Sequence, residues 1–377
     1  MAFRALTKIK VKVDVKPVME NLVFRLHYRY TYIIYMVCMI LSTLYGIIGK
    51  KIDCMGGVSS ASYMKVVNNY CFIMGTFTVD RLHDVKIGAE APHPGIGPVL
   101  PGETITYHTY YQWVPFVLFI QGAMFYVPHW LWKMWEGGLF KQAIQDLAIR
   151  DYLGSNLKNY FSREDMYRTL SRYILHYMGR HESWAHKFFF CEFLNLLVVV
   201  ATLFFTNWFL GGEFFTYGVN MLEVVGLDPE NRTDPMSYIF PKMAKCVFRS
   251  FGASGTIQVR DVMCLIATNI INEKIYIFLW VWLVLLTSVT SLWLVFRLLT
   301  VSIPFFRHFL LKLHTNEKAR IHVSRVMEHC SLSEWFLLLS LAQNMETSVF
   351  SEFLTRFATE LTASPDTKPI NNSKEEF

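Results

Sequence analysis

Three histidines recur at five-residue intervals in the middle of the chain, at His176, His181 and His186. Imidazole can bind a metal ion or transfer a proton, but side chains five residues apart point to different faces of a helix. The sequence also lacks the G-x-S-x-G, H-E-x-x-H, P-loop and G-x-G-x-x-G patterns of common catalytic and nucleotide sites. We therefore predict no catalytic residue, no metal site, no cofactor and no enzyme activity.

Cysteine is the other residue type here that could do chemistry. Four of the seven cysteines form two pairs in two polar segments, namely Cys54, Cys71, Cys246 and Cys264. An even set of this kind predicts disulfide bonds on the oxidising side of a membrane. A zinc site is the alternative, but these cysteines lack the closely spaced C-x₂₋₄-C pairs of structural zinc. Four cysteines allow three pairings, and their spacing does not choose among them.

The elements that must position these residues are apolar. The chain is 53% hydrophobic and only 18% charged, against roughly 45–50% apolar and about 25% charged in soluble domains. The excess lies in four nearly uncharged stretches, each long enough to cross a hydrocarbon core of about 30 Å as a helix. Buried helices of a soluble protein are the alternative, but such helices show a polar face. We predict transmembrane helices at residues 30–49, 113–132, 188–210 and 275–296.

The segments between the spans differ in positive charge. Lys and Arg are more than twice as numerous in the termini and the middle loop as in the other two loops, and positive charge marks the cytoplasmic side. Both termini are therefore predicted to be cytoplasmic in a multi-pass plasma-membrane protein. The predicted cytoplasmic parts are residues 1–29, 133–187, 297–363 and a disordered tail at 364–377. The predicted extracellular loops are residues 50–112 and 211–274.

These features predict an all-α membrane protein with four transmembrane helices, a disulfide-stapled extracellular domain that contains some β structure, and a helical cytoplasmic domain. Near the C-terminus, Ser331 and Glu334 form a capping-box pattern that predicts a helix start. An apolar stripe at helical spacing follows, formed by Phe350, Phe353, Leu354, Phe357 and Leu361. The net charge of +6 follows membrane sidedness, so we predict no nucleic-acid partner. The alternating segment from Lys8 to Lys16 instead suits contact with anionic lipid headgroups.

Three polar or aromatic features call for a functional interpretation. Glu192 is an ionisable residue inside a predicted span, so it either pairs with another helix or takes part in permeation or gating. Asn231 begins an N-R-T sequon and is a candidate glycosylation site. The segment YYQWVPF, from Tyr110 to Phe116, suits an aromatic anchor at the membrane interface better than a ligand site. Its Pro115 fits the first turn of a helix, whereas a deeper position would kink the span.

Several segments resemble the innexins, the invertebrate gap-junction proteins, and most closely in the insect pattern. They occur in family order and cover most of the chain, with two cysteines in each predicted extracellular loop. The segments are NLVFRLHYRYT before the first span, IDC at residues 52–54, HPGIG at 93–97, YYQWV at 110–114, FYVPHWLWKMWEGG from 125, CEFLNL from 191, FLGGEFFTYG from 209, DPMSYIFPKMAKC at 234–246 and NIINEKIYIFLWVW from 269.

The resemblance implies an assembly and a function. Innexins form rings of subunits around a large pore, and two rings from adjacent cells dock through their outer loops. We therefore expect a gap-junction channel that passes ions and small metabolites. The expected ring is a homo-octamer, or a hetero-oligomer with other innexins, embedded in membrane lipids. A non-junctional hemichannel, as in the related pannexins, is the alternative, and a four-span adhesion or scaffold protein is a more remote one.

The resemblance also implies roles for particular residues. The family pairing would join Cys54 to Cys264 and Cys71 to Cys246. The expected pore-lining residues are Ala2, Phe3, Arg4, Lys8, Ser42, Tyr45, Lys50 and Lys51. The chain departs from the family in two places, since Lys50-Lys51 replaces Asp-Pro and Pro115 stands where the family often has Cys. Two cations near the pore mouth predict easier passage of anions than in a typical innexin.

Overall fold

Four long apolar helices dominate the computed structural model of the chain, which describes residues 19–56, 60–83, 85, 88, 90–138, 160–178, 182–224 and 235–363. These four helices are long and apolar enough to cross a membrane. With the small antiparallel sheet and two disulfides described below, they confirm the predicted fold class. The helices in chain order are α1 (Leu22–Ile48), α2 (Ala61–Met74), α3 (Val114–Glu136), α4 (Tyr160–Tyr177), α5 (Glu182–Phe209), α6 (Phe214–Val224), α7 (Pro235–Ile239), α8 (Ala267–Ser302), α9 (Pro304–Leu313), α10 (Arg320–His329), α11 (Leu332–Asn344) and α12 (Thr347–Ala363).

The four candidate spans are α1, α3, α5 and α8, and each helix is longer than the apolar stretch that predicts it. Helix α8 begins at Ala267 and ends at Ser302, beyond the predicted residues 275–296 at both ends. Its additional turns contain Glu273 and Arg297, which are buried beside ionic partners. A charged residue ends an apolar stretch in the sequence, but it does not end a helix when its charge is paired.

The described residues separate into two compact units. The sheet-bearing unit comprises Leu26–Tyr126 and Leu196–Val289, and the helical unit comprises Met1–Arg25, Val127–Asn195 and Thr290–Phe377. Helix α1 contains a π-helical stretch at Leu26–Thr31. There the Thr31 hydroxyl donates to the Leu26 carbonyl at 2.9 Å and accepts from Trp282 Nε1 at 3.0 Å.

One antiparallel sheet is built from both polar loops of the sheet-bearing unit. Its strand order is β1-β5-β4-β2-β3, so strands from the second loop lie between strands from the first. The sheet therefore cannot form from either loop alone. The strands are β1 (Asp53–Met55), β2 (Thr76–Val79), β3 (Ile105–His108), β4 (Met243–Phe251) and β5 (Ile257–Leu265).

Helix α2 packs on this sheet and ends at a glycine. Gly75 has φ of +90°, and a Cβ there would lie 2.6 Å from Thr109 Cγ2. Glycine suits this helix C-terminus because it adopts a positive φ without strain and leaves room for the neighbouring Thr109. The chain can then turn directly into β2. In the same unit, apolar residues of the spans form a hydrophobic core around Tyr35, Phe125 and Tyr276.

The helical unit contains α4, α9 to α12 and the adjoining ends of the spans. Ser331 and Glu334 make both hydrogen bonds of a capping box at the start of α11, as the sequence predicts. The aromatic stripe of α12 is also confirmed as a buried face, and Phe353 packs on Tyr167 of α4. The predicted disordered tail lies outside the described residues.

Candidate channel elements and their polar sites

Two disulfide bonds join the two polar loops. Cys54 and Cys264 are bonded and lie opposite each other in the register of β1 and β5. Cys71 at the end of α2 is bonded to Cys246 in β4. Each bond closes a long stretch of chain, 210 residues in the first case and 175 in the second. Restricting the unfolded chain in this way stabilises a domain by roughly 2–5 kcal/mol per bond.

The sulfur atoms of Cys54, Cys71 and Cys264 lie within 4.8 Å of one another, as metal ligands would. All three belong to disulfides, and only a thiolate ligates zinc well. The cluster is therefore a covalent staple of the sheet. The remaining cysteines, Cys38, Cys191 and Cys330, are free and buried, and burial raises the pKa of the Cys330 thiol above its ordinary value.

The segment YYQWVPF connects the sheet to α3. The Tyr110 hydroxyl donates to the Ile239 carbonyl at 2.6 Å, and Gln112 Nε2 donates to the Phe72 carbonyl at 2.6 Å. Tyr111 is buried. Outside the core lie Trp113 and Phe116, which are 61% and 63% exposed. The aromatic-anchor prediction therefore fits the second half of the segment, whereas the first half is a structural joint.

Pro115 is the second residue of α3, so it occupies the first helical turn. N–H groups in the first turn of a helix have no intrahelical acceptor, so the missing N–H of proline costs no hydrogen bond there. Pro128 lies inside the same helix, where it removes a backbone hydrogen bond and favours a kink. Pro128 falls within the same predicted span as Pro115, so this kink position is also visible in the sequence.

A buried histidine of the sheet was not singled out from the sequence. His108 Nε2 lies 2.8 Å from the Thr78 hydroxyl, and both side chains are buried. Burial, followed by the neighbouring His83, lowers the pKa of His108 to about 4, although Asp80 acts in the opposite direction. His108 is therefore neutral in the folded sheet at pH 7. In the sequence, the burial of His108 is indicated only by its position in a short strand, where alternate residues face the same side.

The predicted pore-lining residues of α1 and the following segment differ in their surroundings. Ser42 is 6% exposed and donates to Asn272 Oδ1 at 3.0 Å. This hydrogen bond joins Ser42 to another helix of the same chain, and the pore-lining position of Ser42 stays a prediction. Tyr45 is 38% exposed. Lys50 Nζ lies 2.9 Å from Asp53, and Lys51 Nζ lies 5.2 Å from the centre of the Phe72 ring.

Glu192 is paired with another span, which is one of the two alternatives that the sequence left open. Arg297 Nε and Nη2 both donate to its carboxylate at 2.8 Å, and Trp293 Nε1 donates at 3.0 Å. Asn21 Nδ2 donates to the same carboxylate. Four residues, from two helices (α5 and α8) and the chain before α1, thus meet at one buried charge. A bidentate guanidinium–carboxylate pair of this kind is geometrically specific.

The Arg297 guanidinium is enclosed by aromatic rings. Its centre lies 4.8 Å from the Phe189 ring, 5.4 Å from the Trp293 ring and 5.5 Å from the Phe336 ring. Such contacts stabilise a desolvated cation. Since Phe336 belongs to α11, the site connects the C-terminal helices to the segment that leads into α1. Glu20 in that segment also lies 3.1 Å from His129 Nδ1.

The remaining predicted site residues, Ala2, Phe3, Arg4, Lys8 and Asn231, lie outside the described residues. Nothing in the structure therefore bears on a pore-associated N-terminal segment or on glycosylation.

Comparison with known proteins gives one consistent family. A family model described as Innexin matches residues 20–361. "Innexin inx2" of Schistocerca americana is 38% identical over 343 residues, which is 91% of this chain and 93% of that protein. "Innexin inx2" of Drosophila melanogaster is 38% identical and covers 91% of each chain. "Innexin shaking-B" of the same species is 36% identical over 91% of this chain and 90% of its own length.

Proposed function

The chain belongs to the innexin family of gap-junction channel proteins, and on that premise we propose that it forms a junctional channel between adjacent cells. Membership makes it a multi-pass plasma-membrane channel protein that works as an oligomer. The proposal adds that two rings, one from each cell, dock end to end. Ions and small metabolites then pass from one cytoplasm to the other.

The observation that carries the proposal is the single sheet built from both polar loops and stapled by two disulfides. A docking surface has to stay rigid before it meets its partner, because ordering mobile loops reduces affinity. Disulfides also form on the oxidising side of a membrane. This supports an extracellular sheet and cytoplasmic termini.

We propose a homomeric ring with eight subunits, in line with the family resemblance, and mixed rings with other innexins as a second form. Electron microscopy of the purified particle in lipid tests the subunit number directly. A ring of another size would contradict the octamer and leave the channel function standing.

Transfer of a small fluorescent dye between paired cells tests the junctional function. We expect transfer when both cells express the protein and none when one cell is untransfected. The alternative is a hemichannel in one membrane, which a glycan at Asn231 would favour by obstructing docking. Dye uptake by single cells without transfer between pairs, together with a glycosidase-sensitive shift in mobility, would establish that alternative.

For the pore we propose Tyr45, Lys50 and Lys51 as lining residues, with the N-terminal segment around Ala2 to Lys16. The salt bridge to Asp53 offsets the electrostatic effect of Lys50 on a permeating ion. Lys51 contacts an aromatic ring, which leaves its charge uncompensated by that contact. We therefore propose that Lys51 contributes more than Lys50 to any preference for anions.

Reversal potentials under a salt gradient test this assignment. Lys51→Gln is expected to shift the reversal potential toward cation preference more than Lys50→Gln does. Lys65→Gln is the matched control, because Lys65 is an exposed lysine of α2 in the same polar loop. Equal shifts for all three variants would mean that general surface charge, and not a pore position, sets selectivity.

A further inference from the structure

The β4–β5 hairpin projects beyond the rest of the sheet. Its two strands pair with each other from Met243 and Leu265 out to Phe251 and Ile257. Strand β2 pairs with β4 only at Lys245, and β1 pairs with β5 only near its inner end. Among the described residues, the outer half of the hairpin is therefore a two-stranded ribbon whose two edges have no neighbouring strand.

One face of this ribbon is covered by its own chain. Phe248 packs edge-on against Tyr63 and Tyr70 of α2, at ring-centre distances of 5.8 and 5.1 Å. Arg260 lies over the Tyr63 ring on the same face. Cys246 is bonded to Cys71 there as well. The α2 side of the ribbon is thus fixed to the domain.

The opposite face of the ribbon presents large apolar side chains that are mostly exposed. Strand register places Phe251 opposite Ile257 and Arg249 opposite Val259, so these side chains point to the same side. Phe251 is 79% exposed, Ile257 is 67% exposed and Val259 is 63% exposed. Large apolar side chains on an open ribbon promote association with another chain unless a partner covers them.

We propose that this face, formed by Arg249, Phe251, Ile257, Val259 and Asp261 and here called the ribbon face, docks against the same face of a second copy in the opposing membrane. The inference rests on the proposed junctional function and names its contact surface. In the proposed junction, a neighbouring cell that expresses the same chain supplies the second copy. The ribbon face would be the central apolar part of the contact between two rings.

Charge on the ribbon face supports a self-complementary contact. Arg249 in β4 and Asp261 in β5 are exposed on this face, one on each strand. In a contact with two-fold symmetry, residue i of one copy meets residue j of the other and the reverse. Arg249 of each copy can then meet Asp261 of its partner, on either side of the apolar residues. Within the same chain, Asp261 Oδ2 also forms a salt bridge with Lys245 Nζ at 2.8 Å, near the base of the hairpin.

The position of the apolar residues agrees with contact across a gap between membranes. Strand β5 leads from Ile257 at the tip to Leu265, and α8 begins two residues later at Ala267. A nine-residue strand is about 30 Å long. The exposed apolar side chains therefore lie at the tip of the ribbon, and the other end of β5 leads into span α8.

Removing the apolar tip is the first test. Phe251→Ser with Ile257→Ser is expected to reduce conductance between paired cells by at least about tenfold, because truncating central apolar anchors has the largest effect on an interface. Single-cell currents and surface expression should stay unchanged. Val66→Ser, at an exposed apolar residue of α2, is the control and should couple like the wild type.

Charge reversal is the sharper test, because it requires a contact between opposing copies. Cells expressing Arg249→Glu should couple poorly with each other, and so should cells expressing Asp261→Arg. Pairing one kind with the other restores both opposite-charge contacts and should restore coupling to near the wild-type level. Surface expression of each variant is measured first, since Asp261→Arg also removes the partner of Lys245.

Each other outcome has a definite meaning. Loss of single-cell currents and of the ring in the tip variant would assign the ribbon face to a neighbour in the same ring and overturn the inference. Normal coupling by the tip variant, or no rescue in the mixed charge pair, would also overturn it while the wild-type channel still couples cells. Absence of coupling by the wild type would instead refute the proposed junctional function.

Discussion

Replacing Arg297 with methionine would leave the Glu192 carboxylate buried without a positive partner. Glu192 is 3% exposed and Arg297 is 7% exposed, and the two form a bidentate pair at 2.8 Å. Breaking such a pair from one side costs about 3–5 kcal/mol, because the remaining charge loses its partner but not its desolvation. Methionine keeps much of the apolar contact with Phe189 and Phe336, so the lost charge dominates.

The expected effect on thermal stability follows from this energy. At about 2 °C per kcal/mol for a large chain, Arg297→Met should lower the Tm by roughly 6–10 °C. The measurement is the fraction of detergent-solubilised protein that still elutes as the intact oligomer after heating. Arg356→Met is the matched control, since its partner Glu352 at 2.9 Å is 43% exposed, and an exposed pair contributes only about 0–1 kcal/mol.

A double variant separates the lost pair from a general packing defect. Glu192→Gln removes the stranded charge, so Glu192→Gln with Arg297→Met should recover at least half of the lost Tm. The reasoning would be refuted if Arg297→Met were no more destabilised than Arg356→Met. It would also be refuted if the double variant were as unstable as Arg297→Met alone.

Three further predictions concern the sheet-bearing unit. Because the pKa of His108 falls to about 4 in the folded sheet against 6.5 when free, stability present above pH 6.5 should be lost progressively down to pH 4, by up to about 3 kcal/mol; thermal melts should show a smaller loss in His108→Gln, and an equal loss would contradict the assignment. Removing the Cys71–Cys246 bond by changing both residues to serine should cost roughly 2–5 kcal/mol, seen as faster proteolysis at the cell surface, and unchanged proteolysis would argue against it. Because Ser42 is buried and Tyr45 is not, a cysteine at Ser42 should react with a water-soluble thiol reagent more slowly than a cysteine at Tyr45, and equally rapid modification at both positions would contradict this difference and support a pore-lining role for Ser42.

The sequence predicted well those features that depend on neighbouring residues. Four spans follow from apolar stretches of membrane length, since transfer into lipid depends on local composition. The helix start at Ser331 follows from a four-residue pattern, and both of its hydrogen bonds are present. The fold class and the family follow in the same way. Helix α8 extends beyond its predicted span at both ends because the charges that end the apolar stretch are paired in the folded chain.

The sequence by itself thus determined the number of spans, the helical C-terminal region and the family to which the chain belongs, because each is written in local composition or in quoted motifs. Only the tertiary structure decided which charge neutralises Glu192, since Arg297 lies 105 residues away. It also decided that Ser42 faces Asn272 across a helix contact. Strand register likewise left one face of the β4–β5 ribbon apolar and exposed, because long-range pairing, and not the residue types alone, determines which side of a strand is covered.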